Sequence, residues 1–402
     1  MTINNEHKKL NVPNLRFPEF QGEWEESSIG EMFDLYSGNT PSRLNKSHFK
    51  GNVNWISSGE LKQHYIYSSK EQISEEAAQS LKMLPVGTFV IAIYGLEAEG
   101  VRGTGSITKE PSTISQACMA FTSKGKVENE FLYSWYKKHG NVIGIKYAQG
   151  TKQQNLSYDI LEKFKIAYPN AKEQGKLNNF ISLLDERIAT QNKIIDKLQS
   201  LIKGINQRVF MNNGINYKLG EICEIRSGYS GNQLLSKKGL KISRIETISG
   251  HKVNLERVGY VAPFESSENY KLQVGDILFS NINSVEYIGN TAFIDKDYDL
   301  YHGMNLLRLT PNNMVVIPFY LYLLLNTNRM LNRFKTVCNK AVSQASINQT
   351  ELGKTVVQIP DINAQKQICE LYQALYDKLE SEKYANSLSQ KQKQYLLRQM
   401  FI

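Results

Sequence analysis

The chain has 402 residues, more than a single hydrophobic core usually supports, so its length predicts two or more domains. Its apolar fraction of 41% and charged fraction of 22% are those of an ordinary folded protein and exclude a disordered or collagen-like chain. A net charge of +9 favours a polyanionic partner such as nucleic acid.

Cysteine spacing and hydropathy indicate the compartment. The four cysteines lie far apart and form no C-x-x-C pair, which favours free thiols over disulfides or a metal site. Residues 1–10 are polar and lack the apolar core of a signal peptide. The longest apolar run, residues 314–325, is too short to span a bilayer. We therefore expect a soluble, cytoplasmic protein with no membrane partner.

The first region of the chain, residues 1–168, mixes short strands with turns. Its strand candidates are apolar runs at 53–57 and 88–94, separated by clusters of Gly, Asn, Pro and Ser. This mixture predicts a globular α+β domain, which we call head 1.

A long helix is predicted after Pro169, because the next proline is Pro263. Apolar residues recur along it at alternating spacings of four and three, with Gln191 as the one polar member, which predicts a coiled-coil seam. A seam this narrow needs a partner helix. Its apolar members are Leu177, Ile181, Leu184, Ile188, Ile195, Leu198, Ile202, Ile205 and Val209.

The second half of the chain repeats the first at an offset close to 190 residues, which predicts a second α+β region, head 2. Its strand candidates are residues 240–248, 276–282 and 306–309. The repeated motifs are Ile29-Gly30-Glu31 with Leu219-Gly220-Glu221, Ser37-Gly38 with Ser227-Gly228, and Leu84-x-Val86-Gly87 with Leu272-x-Val274-Gly275. Seven pairs share an offset of 191: Gln153 with Gln344, Leu161 with Leu352, Lys163 with Lys354, Pro169 with Pro360, Gln174 with Gln365, Leu184 with Leu375, and Phe210 with Phe401.

The repeat also predicts a second long helix that supplies the missing partner. Projection of the seam by 191 residues places Ile368, Tyr372, Leu375, Leu379, Leu396 and Met400 on its apolar face. In its middle the projected positions are polar, namely Glu382, Asn386, Ser389 and Lys393, while Ala385 and Leu388 lie out of register. This pattern predicts a local stutter or a solvated gap, or a stretch that faces a different protein.

Chain connectivity orients the two helices. Head 2 begins where the first helix ends, so the second helix returns toward the start and the pair is antiparallel. About 40 residues at 1.5 Å per residue form a rod about 60 Å long, which predicts a rigid spacer with pseudo-twofold symmetry between the heads. The predicted parts are head 1 (1–168), helix 1 (169–212), head 2 (213–360) and helix 2 (361–402).

Motifs along essentially the whole chain resemble those of the specificity subunits of type I restriction-modification systems. In order they are Pro13-x-Leu15-Arg16-Phe17-Pro18-x-Phe20-x-x-x-Trp24, Ser37-Gly38-Asn39-Thr40-Pro41-Ser42, Trp55-Ile56-Ser57, Gln154-Asn155-Leu156, Pro169 with Glu173-Gln174, Arg208-Val209-Phe210 and Gln399-Met400-Phe401. Head 2 departs from the pattern, because Tyr229-Ser230-Gly231-Asn232-Gln233 follows Ser227-Gly228 in place of Thr-Pro-Ser. A different half-site would explain this departure.

The resemblance implies two target recognition domains that read an asymmetric, bipartite site on double-stranded DNA, with an unread gap set by the helices. It implies two methyltransferase subunits that use S-adenosylmethionine to modify adenine N6, and restriction subunits that act as ATP-driven motors. In such a bacterial complex this chain binds no cofactor and is not an enzyme.

The residues contain no motif for catalysis. No Pro-Pro dipeptide occurs, so the Asn/Asp-Pro-Pro-aromatic motif of adenine methyltransferases is absent. The nearest P-loop match, residues 95–100, lacks the lysine, and the six histidines have no metal-ligand spacing. The alternatives to DNA recognition are a two-headed adaptor that binds proteins and, third, an enzyme.

Base reading favours Arg, Lys, Asn, Gln and Ser/Thr in loops, because these side chains match the donor and acceptor patterns of base edges. The alternative for each residue is a solvated loop side chain. The candidates in head 1 are Thr40, Ser42, Arg43, Lys46, Arg102, Lys152, Gln153 and Gln154. Those in head 2 are Tyr229, Asn232, Gln233, Arg244, Asn281, Asn283, Gln344 and Ser346.

Overall fold

The computed structural model describes residues 10–150, 152–210, 214–340 and 344–402. The boundary predicted between residues 212 and 213, and nearly all of the segment 1–10, lie outside the described residues. The chain divides into two compact units: Met1–Lys193 with Lys383–Ile402, and Ile194–Glu382. Each unit combines helices with sheets, which confirms the predicted α+β class.

In its described residues the first unit contains ten strands, four short or medium helices and the beginning of a long one. The strands are β1 Glu25–Ser28, β2 Phe33–Ser37, β3 Val53–Ile56, β4 Tyr65–Ile66, β5 Gln72–Ile73, β6 Phe89–Ala92, β7 Gly105–Thr108, β8 Ser112–Ile114, β9 Cys118–Ser123 and β10 Lys165–Tyr168. The helices are α1 Ile29–Met32, α2 Glu75–Gln79, α3 Asn129–Tyr147, α4 Tyr158–Leu161 and the long α5 Ala171–Val209.

Head 1 is built around a five-stranded sheet in the order β2-β9-β6-β7-β4. Neighbours pair antiparallel except β4, which runs parallel to β7. A second, three-stranded sheet has the order β5-β3-β8. The large sheet packs against α3 through buried aromatic side chains such as Phe89, Phe121 and Tyr133, so a single core supports the sheet.

The second unit repeats this plan, with eleven strands over the residues described. They are β11 Ile215–Lys218, β12 Cys223–Ser227, β13 Leu240–Ile242, β14 Gly259–Val261, β15 Ile277–Ser280, β16 Ile282–Asn283, β17 Thr291–Phe293, β18 Leu306–Pro311, β19 Asn339–Lys340, β20 Ala345–Ser346 and β21 Val356–Ile359. The helices are α6 Leu219–Ile222, α7 Pro318–Leu325, α8 Asn328–Val337, α9 Gln349–Gly353 and the long α10 Ile362–Met400.

Head 2 is built around an antiparallel sheet in the order β12-β18-β15-β17. Side chains alternate between its two faces, and both faces are covered. Ile277 and Leu309 point into the larger core with α7 and α8, whereas Leu278 and Leu306 point into a separate small core. The sheet is therefore held from both sides.

The repeated Gln174 and Gln365 attach each head to its long helix in the same way. Gln174 is buried; its Nε2 donates to the carbonyl oxygens of Pro169 (2.8 Å) and Lys126 (3.0 Å), and its Oε1 accepts from Glu128 N–H (2.9 Å). The Gln365 amide makes the equivalent bonds to Pro360, Val315 and Ile317 in the second unit. The repeat therefore preserves a complete set of buried hydrogen bonds.

Most predicted strands are present, but the prediction for residues 240–248 is half wrong. The strand β13 ends at Ile242, and Ile245–Ile248 form a 3-10 helix. Thr247 explains the change, because its Oγ1 accepts from Arg244 N–H (2.9 Å) and donates to the Arg257 carbonyl (2.6 Å). Such local side-chain bonds compete with strand pairing.

The helices α5 and α10 pair antiparallel. In the first unit, Asp185, Gln191 and Asn192 of α5 contact Lys393, Ser389 and Asn386 of α10, respectively, so the numbers run in opposite directions. In the second unit Tyr372 donates a hydrogen bond to Asn206. All nine apolar seam positions of α5 are buried or half-buried, as are Ile368, Tyr372, Leu375, Leu379, Leu396 and Met400 of α10.

The stutter predicted in the middle of α10 is wrong. Glu382 is half-buried, while Asn386, Ser389 and Lys393 are buried at 4–8% exposure, so the alternation of four and three continues through α10, which is described throughout. Leu388, out of register, is 46% exposed. The register persists because α5 supplies polar partners: Asn386 Nδ2 donates to Asn192 Oδ1 (2.7 Å) and Ser389 Oγ to Gln191 Oε1 (3.1 Å).

A buried charge network fastens head 1 to the two helices within the first unit. The Nε2 and Nδ1 atoms of His64 lie 2.7 Å from Glu130 and 3.0 Å from Asp185, and Lys393 Nζ lies 2.5 Å from the other Asp185 oxygen. The His64 ring is stacked between Tyr65 and Tyr133, with both centroid distances 4.0 Å. Burial penalises the imidazolium, but the hydrogen bonds to Asp185 and Glu130 outweigh that penalty and raise the pKa of His64 above its ordinary 6.5.

This network predicts a pH-dependent stability for the first unit. Since the folded pKa of His64 lies above its unfolded value, the stabilisation is fully present below pH 6.5 and is lost as the pH rises through the folded pKa. We expect the difference in unfolding free energy between the wild type and His64→Gln to shrink as the pH is raised from below 6.5 through the folded pKa of His64. Urea denaturation across that range measures it.

The comparison with His64→Gln isolates this histidine from its neighbours. Glu130 and Asp185 contact the His64 ring, and Lys393 pairs with Asp185. Burial lowers the pKa of nearby Lys137 to about 8. These groups titrate in both the wild type and His64→Gln, so most of their effect on the unfolding free energy cancels in the difference. A difference that stays constant or grows with pH would contradict the prediction.

Candidate DNA interface

Head 1 presents its candidate loops at one edge of the five-stranded sheet. Ser37 pairs with Met119, Ala92 with Cys118, and Ile91 with Gly105, so β2 and β6 end where β7 and β9 begin. The loops 38–46 and 93–104 leave from this edge. The segment 152–155 joins them, because Leu96 N–H donates to the Gln154 carbonyl (3.1 Å).

The Ser-Gly repeat has a steric cause at this edge. A Cβ atom on Gly38 would lie 2.3 Å from the Ser115 carbonyl oxygen, and one on Gly228 would lie 1.9 Å from the Gly303 carbonyl oxygen. Neither position accepts a side chain without moving backbone. Close backbone contact therefore excludes a side chain at the residue that follows β2 and at the residue that follows β12, where the candidate loops begin.

The first loop of head 1 holds Thr40, Ser42, Arg43 and Lys46. Arg43 forms a two-pronged ion pair with Glu71 (3.0 and 2.8 Å), and its guanidinium lies 4.4 Å from the centre of the Phe49 ring. Thr40 is half-buried, whereas Ser42 and Lys46 are exposed. Glu71 and Phe49 thus fix the position of the Arg43 guanidinium. The exposed side chains of Ser42 and Lys46 are accessible to a ligand.

The other two segments of head 1 bring Arg102 and Gln154 together. Arg102 NH2 donates to Gln154 Oε1 (2.8 Å), and Gln154 N–H donates to Glu97 Oε2 (2.8 Å). Lys152 and Gln153 are exposed beside them. Arg102 and Gln154 therefore brace the two segments, while Lys152 and Gln153 have free polar ends.

Head 2 presents its loops at the corresponding edge of its sheet. Ser227 pairs with Leu307, Ser280 with Leu306, and Phe279 with Thr291, so β12 and β15 end where β17 and β18 begin. The loops 228–239, 281–290 and 299–305 leave from this edge. The predicted residues divide between its two sides.

On one side of head 2, Tyr229 belongs to an aromatic cluster. Its ring stacks on Phe264 at 3.9 Å and meets Tyr270 edge-on at 5.5 Å. Asn232, Gln233 and Arg244 are exposed nearby in the chain, and Arg244 Nε lies 3.5 Å from Glu246. Tyr229 therefore orders the loop, whereas the amides of Asn232 and Gln233 are accessible.

On the other side, the short sheet β16-β20-β19 assembles Asn281, Asn283 and Ser346. Ser346 pairs with Ile282, and Ile347 N–H donates to the Asn281 carbonyl (2.9 Å). Asn283 Nδ2 donates to Ser280 Oγ (3.0 Å). Gln344 is exposed at the start of this segment. These residues lie together, and Gln344 corresponds in the repeat to Gln153 of head 1.

Reasoning from loops missed Arg226 and Arg308 in head 2, because both lie inside strands. They face each other in the β12 and β18 pairing. The available signal was a charged residue interrupting the apolar run Leu306-Leu307-Arg308-Leu309.

Two leucines were also absent from the sequence-based candidates. Leu44 and Leu235 are fully exposed in the first loop of each head, where an apolar side chain can contact thymine methyl groups.

The described residues contain neither a candidate metal site nor a candidate membrane-spanning helix. In that part of the chain no three His, Cys, Asp or Glu side chains come together as metal ligands. Over the same residues, no helix has both the length and the apolar character needed to cross a membrane. The four cysteines are free, and Cys118, Cys223 and Cys338 are buried.

Comparisons with known proteins agree with this architecture. The family described as "Type I restriction modification DNA specificity domain" matches residues 21–200 and 214–388. A putative type I restriction enzyme MjaX specificity subunit from Methanocaldococcus jannaschii is 43% identical over 158 residues, 38% of this chain and 37% of that protein. The EcoR124I/EcoR124II specificity subunit of Escherichia coli is 30% identical over 190 residues, 46% of this chain and 45% of that protein.

The fold has a solved counterpart over nearly the full chain. The crystal structure of a type I restriction-modification S subunit from M. genitalium has a TM-score of 0.63 at 17% identity, and the alignment covers 97% of this chain and 99% of that one. The MjaX and EcoR124I/EcoR124II alignments span less than half of those relatives. Because the family matches both halves of the repeat, the chain belongs to the type I restriction modification DNA specificity domain family.

Proposed function

We propose that this chain selects the DNA target of a type I restriction-modification complex in the bacterial cytoplasm. Each head reads one half of an asymmetric, bipartite site on double-stranded DNA. The observation that carries the proposal is the pair of sheet edges with the same strand pairing and different loop residues, in a family whose domain is named for DNA specificity. Two similar modules with dissimilar loops suit two dissimilar half-sites.

The chemistry of the loops supports contact with DNA. The exposed members Ser42, Lys46, Lys152, Asn232 and Gln233 are polar or cationic, the classes that contact phosphates and base edges. The net charge of +9 adds long-range attraction for a polyanion. Binding should therefore weaken steeply with salt.

We further propose that catalysis belongs to partner subunits. Two methyltransferase subunits with S-adenosylmethionine would modify adenine N6, and restriction subunits with ATP would translocate and cleave DNA. The absence of a Pro-Pro motif and of a P-loop lysine from the sequence supports this division. This chain would bind neither cofactor.

Exchange of head 1 tests the function directly. Residues 1–168 are replaced by the head 1 of another specificity subunit, and genomic N6-methyladenine is mapped by sequencing. Only one half of the methylated site should change, because head 2 and its loops are untouched. The reciprocal exchange of residues 213–360 is the matched control and should change only the other half. Movement of both halves, or of neither, in either chimera would refute the proposal.

A further inference from the structure

An open pocket of about 470 Å³ lies in head 2 where β12 ends and β18 begins. Arg226, Arg308, His302, Tyr270, Asn269 and Gln349 are among the residues that line it. The pocket adjoins the first candidate loop, because Tyr270 meets Tyr229 edge-on and Tyr229 N–H donates to the His302 carbonyl (2.9 Å). A ligand in the pocket would therefore touch the base of a DNA-reading loop.

Two positive charges face the same side of the sheet at this pocket. Arg226 and Arg308 are directly opposite each other on β12 and β18, an arrangement of like charges that destabilises a sheet. Glu224 partly compensates one of them, since its Oε1 lies 2.7 Å from Arg226 Nε and 2.5 Å from NH2. That pair is about half-exposed and leaves Arg308 without a counter-charge.

Arg308 is the unusual member. It is 7% exposed, and among the described residues no carboxylate forms an ion pair with it. Its NH1 and NH2 groups donate to the carbonyl oxygens of Lys271 and Asn269, both at 3.2 Å, while its buried Nε has no hydrogen-bond partner in the part of the chain that the structure describes. A buried charge is costly unless it is paired. An anion bound at this wall of the pocket would therefore stabilise the Arg308 guanidinium.

The rest of the lining adds no competing charge. Burial lowers the pKa of His302 to about 4, and its Nε2 donates to the Leu306 carbonyl (3.0 Å), so the ring is neutral near pH 7. Asn269 and Gln349 contribute neutral amides. The two arginines therefore make the net charge of the pocket lining positive.

Head 1 has no equivalent of this pair. The positions that correspond to Arg226 and Arg308 in the strand register are Tyr36 and Ala120, which pair across β2 and β9. The feature is thus specific to head 2 and does not follow from the shared fold.

We propose that this pocket binds a phosphodiester of the DNA backbone next to the half-site read by head 2. The inference rests on the proposed function and extends it to a named contact. A phosphate fits better than a base edge, because the NH1 and NH2 groups of Arg308 already donate to backbone carbonyls and Arg226 is paired with Glu224. The two arginines therefore offer positive charge but no free two-pronged edge. A tetrahedral oxyanion accepts hydrogen bonds from several directions, whereas a planar base edge needs one free two-pronged arginine.

The test measures DNA binding by the full chain assembled with its methyltransferase partner, using the target found by the head exchange. Arg226→Gln and Arg308→Gln should each weaken binding roughly tenfold, equally for every single-base variant of the target, and lower the slope of log K against log salt by about one. Arg226 is half-exposed, so its variant keeps the test valid if Arg308→Gln does not fold. Lys378→Gln is the control, because it removes one positive charge from an exposed position of α10. Its affinity for DNA should match that of the wild type.

Replacement of single phosphates by uncharged methylphosphonate identifies the contact. One replacement beside the head 2 half-site should weaken wild-type binding roughly tenfold and have no further effect on Arg226→Gln. Unchanged affinity in both arginine variants, discrimination lost at one base pair only, or no coupled phosphonate would each overturn the proposal. So would stabilisation of the free chain by inorganic phosphate without a coupled phosphonate, which would indicate a site for free anions. Failure of the wild type to prefer its target would instead refute the proposed function.

Discussion

Replacing Asp185 with leucine is expected to destabilise the first unit by about 3–5 kcal/mol. The Asp185 carboxylate lies between His64 Nδ1 and Lys393 Nζ, and the side chains of Asp185 and Lys393 are only 16% and 10% exposed. Without the carboxylate, two buried cations face each other with Glu130 as the remaining counter-charge. The cost arises from the charges left behind more than from the lost hydrogen bonds.

Tryptophan fluorescence during urea denaturation measures this loss in the correct unit. The three tryptophans of the chain, Trp24, Trp55 and Trp135, are all buried in the first unit, so their emission reports its unfolding. Glu186→Leu is the control, because it also replaces a carboxylate of α5 by leucine within the first unit, but at an exposed position. It should shift stability by no more than about 0.5 kcal/mol. Equal effects from the two variants would contradict the role of the network.

Truncation of Phe401 to alanine is expected to cost about 3–5 kcal/mol in the first unit. Phe401 is 1% exposed and packs on Phe131 with ring centroids 5.2 Å apart, beside the fully buried Leu397. Removing the ring leaves a cavity among residues from α3 and α10, which cannot easily collapse. The tryptophan transition should move to lower urea.

The repeat supplies the matched comparison for this variant. Phe210 contacts Tyr320 at 5.4 Å in the second unit but is only half-buried, so Phe210→Ala should cost less. Its effect should appear in far-UV circular dichroism, which reports both units, and leave the tryptophan transition in place. A larger loss from Phe210→Ala, or a tryptophan shift caused by it, would show that burial of these two rings does not set the cost.

The seam shows where reasoning from sequence succeeds and where it stops. The spacing from Leu177 to Val209 is a property of one helix, so it can be recognised without knowing the partner. Asn386, Ser389 and Lys393 resemble a register break because polar residues rarely occupy a seam. Whether such residues are tolerated depends on the groups opposite them, and those groups lie about 200 residues away in the chain.

The candidate interface divides in the same way. The repeated Ser-Gly motif is visible in the sequence of both heads, and in each it indicates where the candidate loops begin. That Arg43 already pairs with Glu71, and Arg102 with Gln154, depends on loops that meet only in the folded head. Arg308 lies in a strand, so it was not among the loop candidates. A charged residue within a strand usually faces solvent, whereas Arg308 is buried.

Periodicity, repetition and composition by themselves determined the α+β class, the two heads and the long paired helices, and the resemblance of the motifs indicated the family. These are local or recurring properties, and they can be recognised in a linear sequence because each helix or strand carries its own spacing. Tertiary structure alone decided which polar groups meet, which charges are buried and which loop residues remain free. Those outcomes depend on the distance and the dielectric surroundings between residues remote in the chain, which no local pattern records.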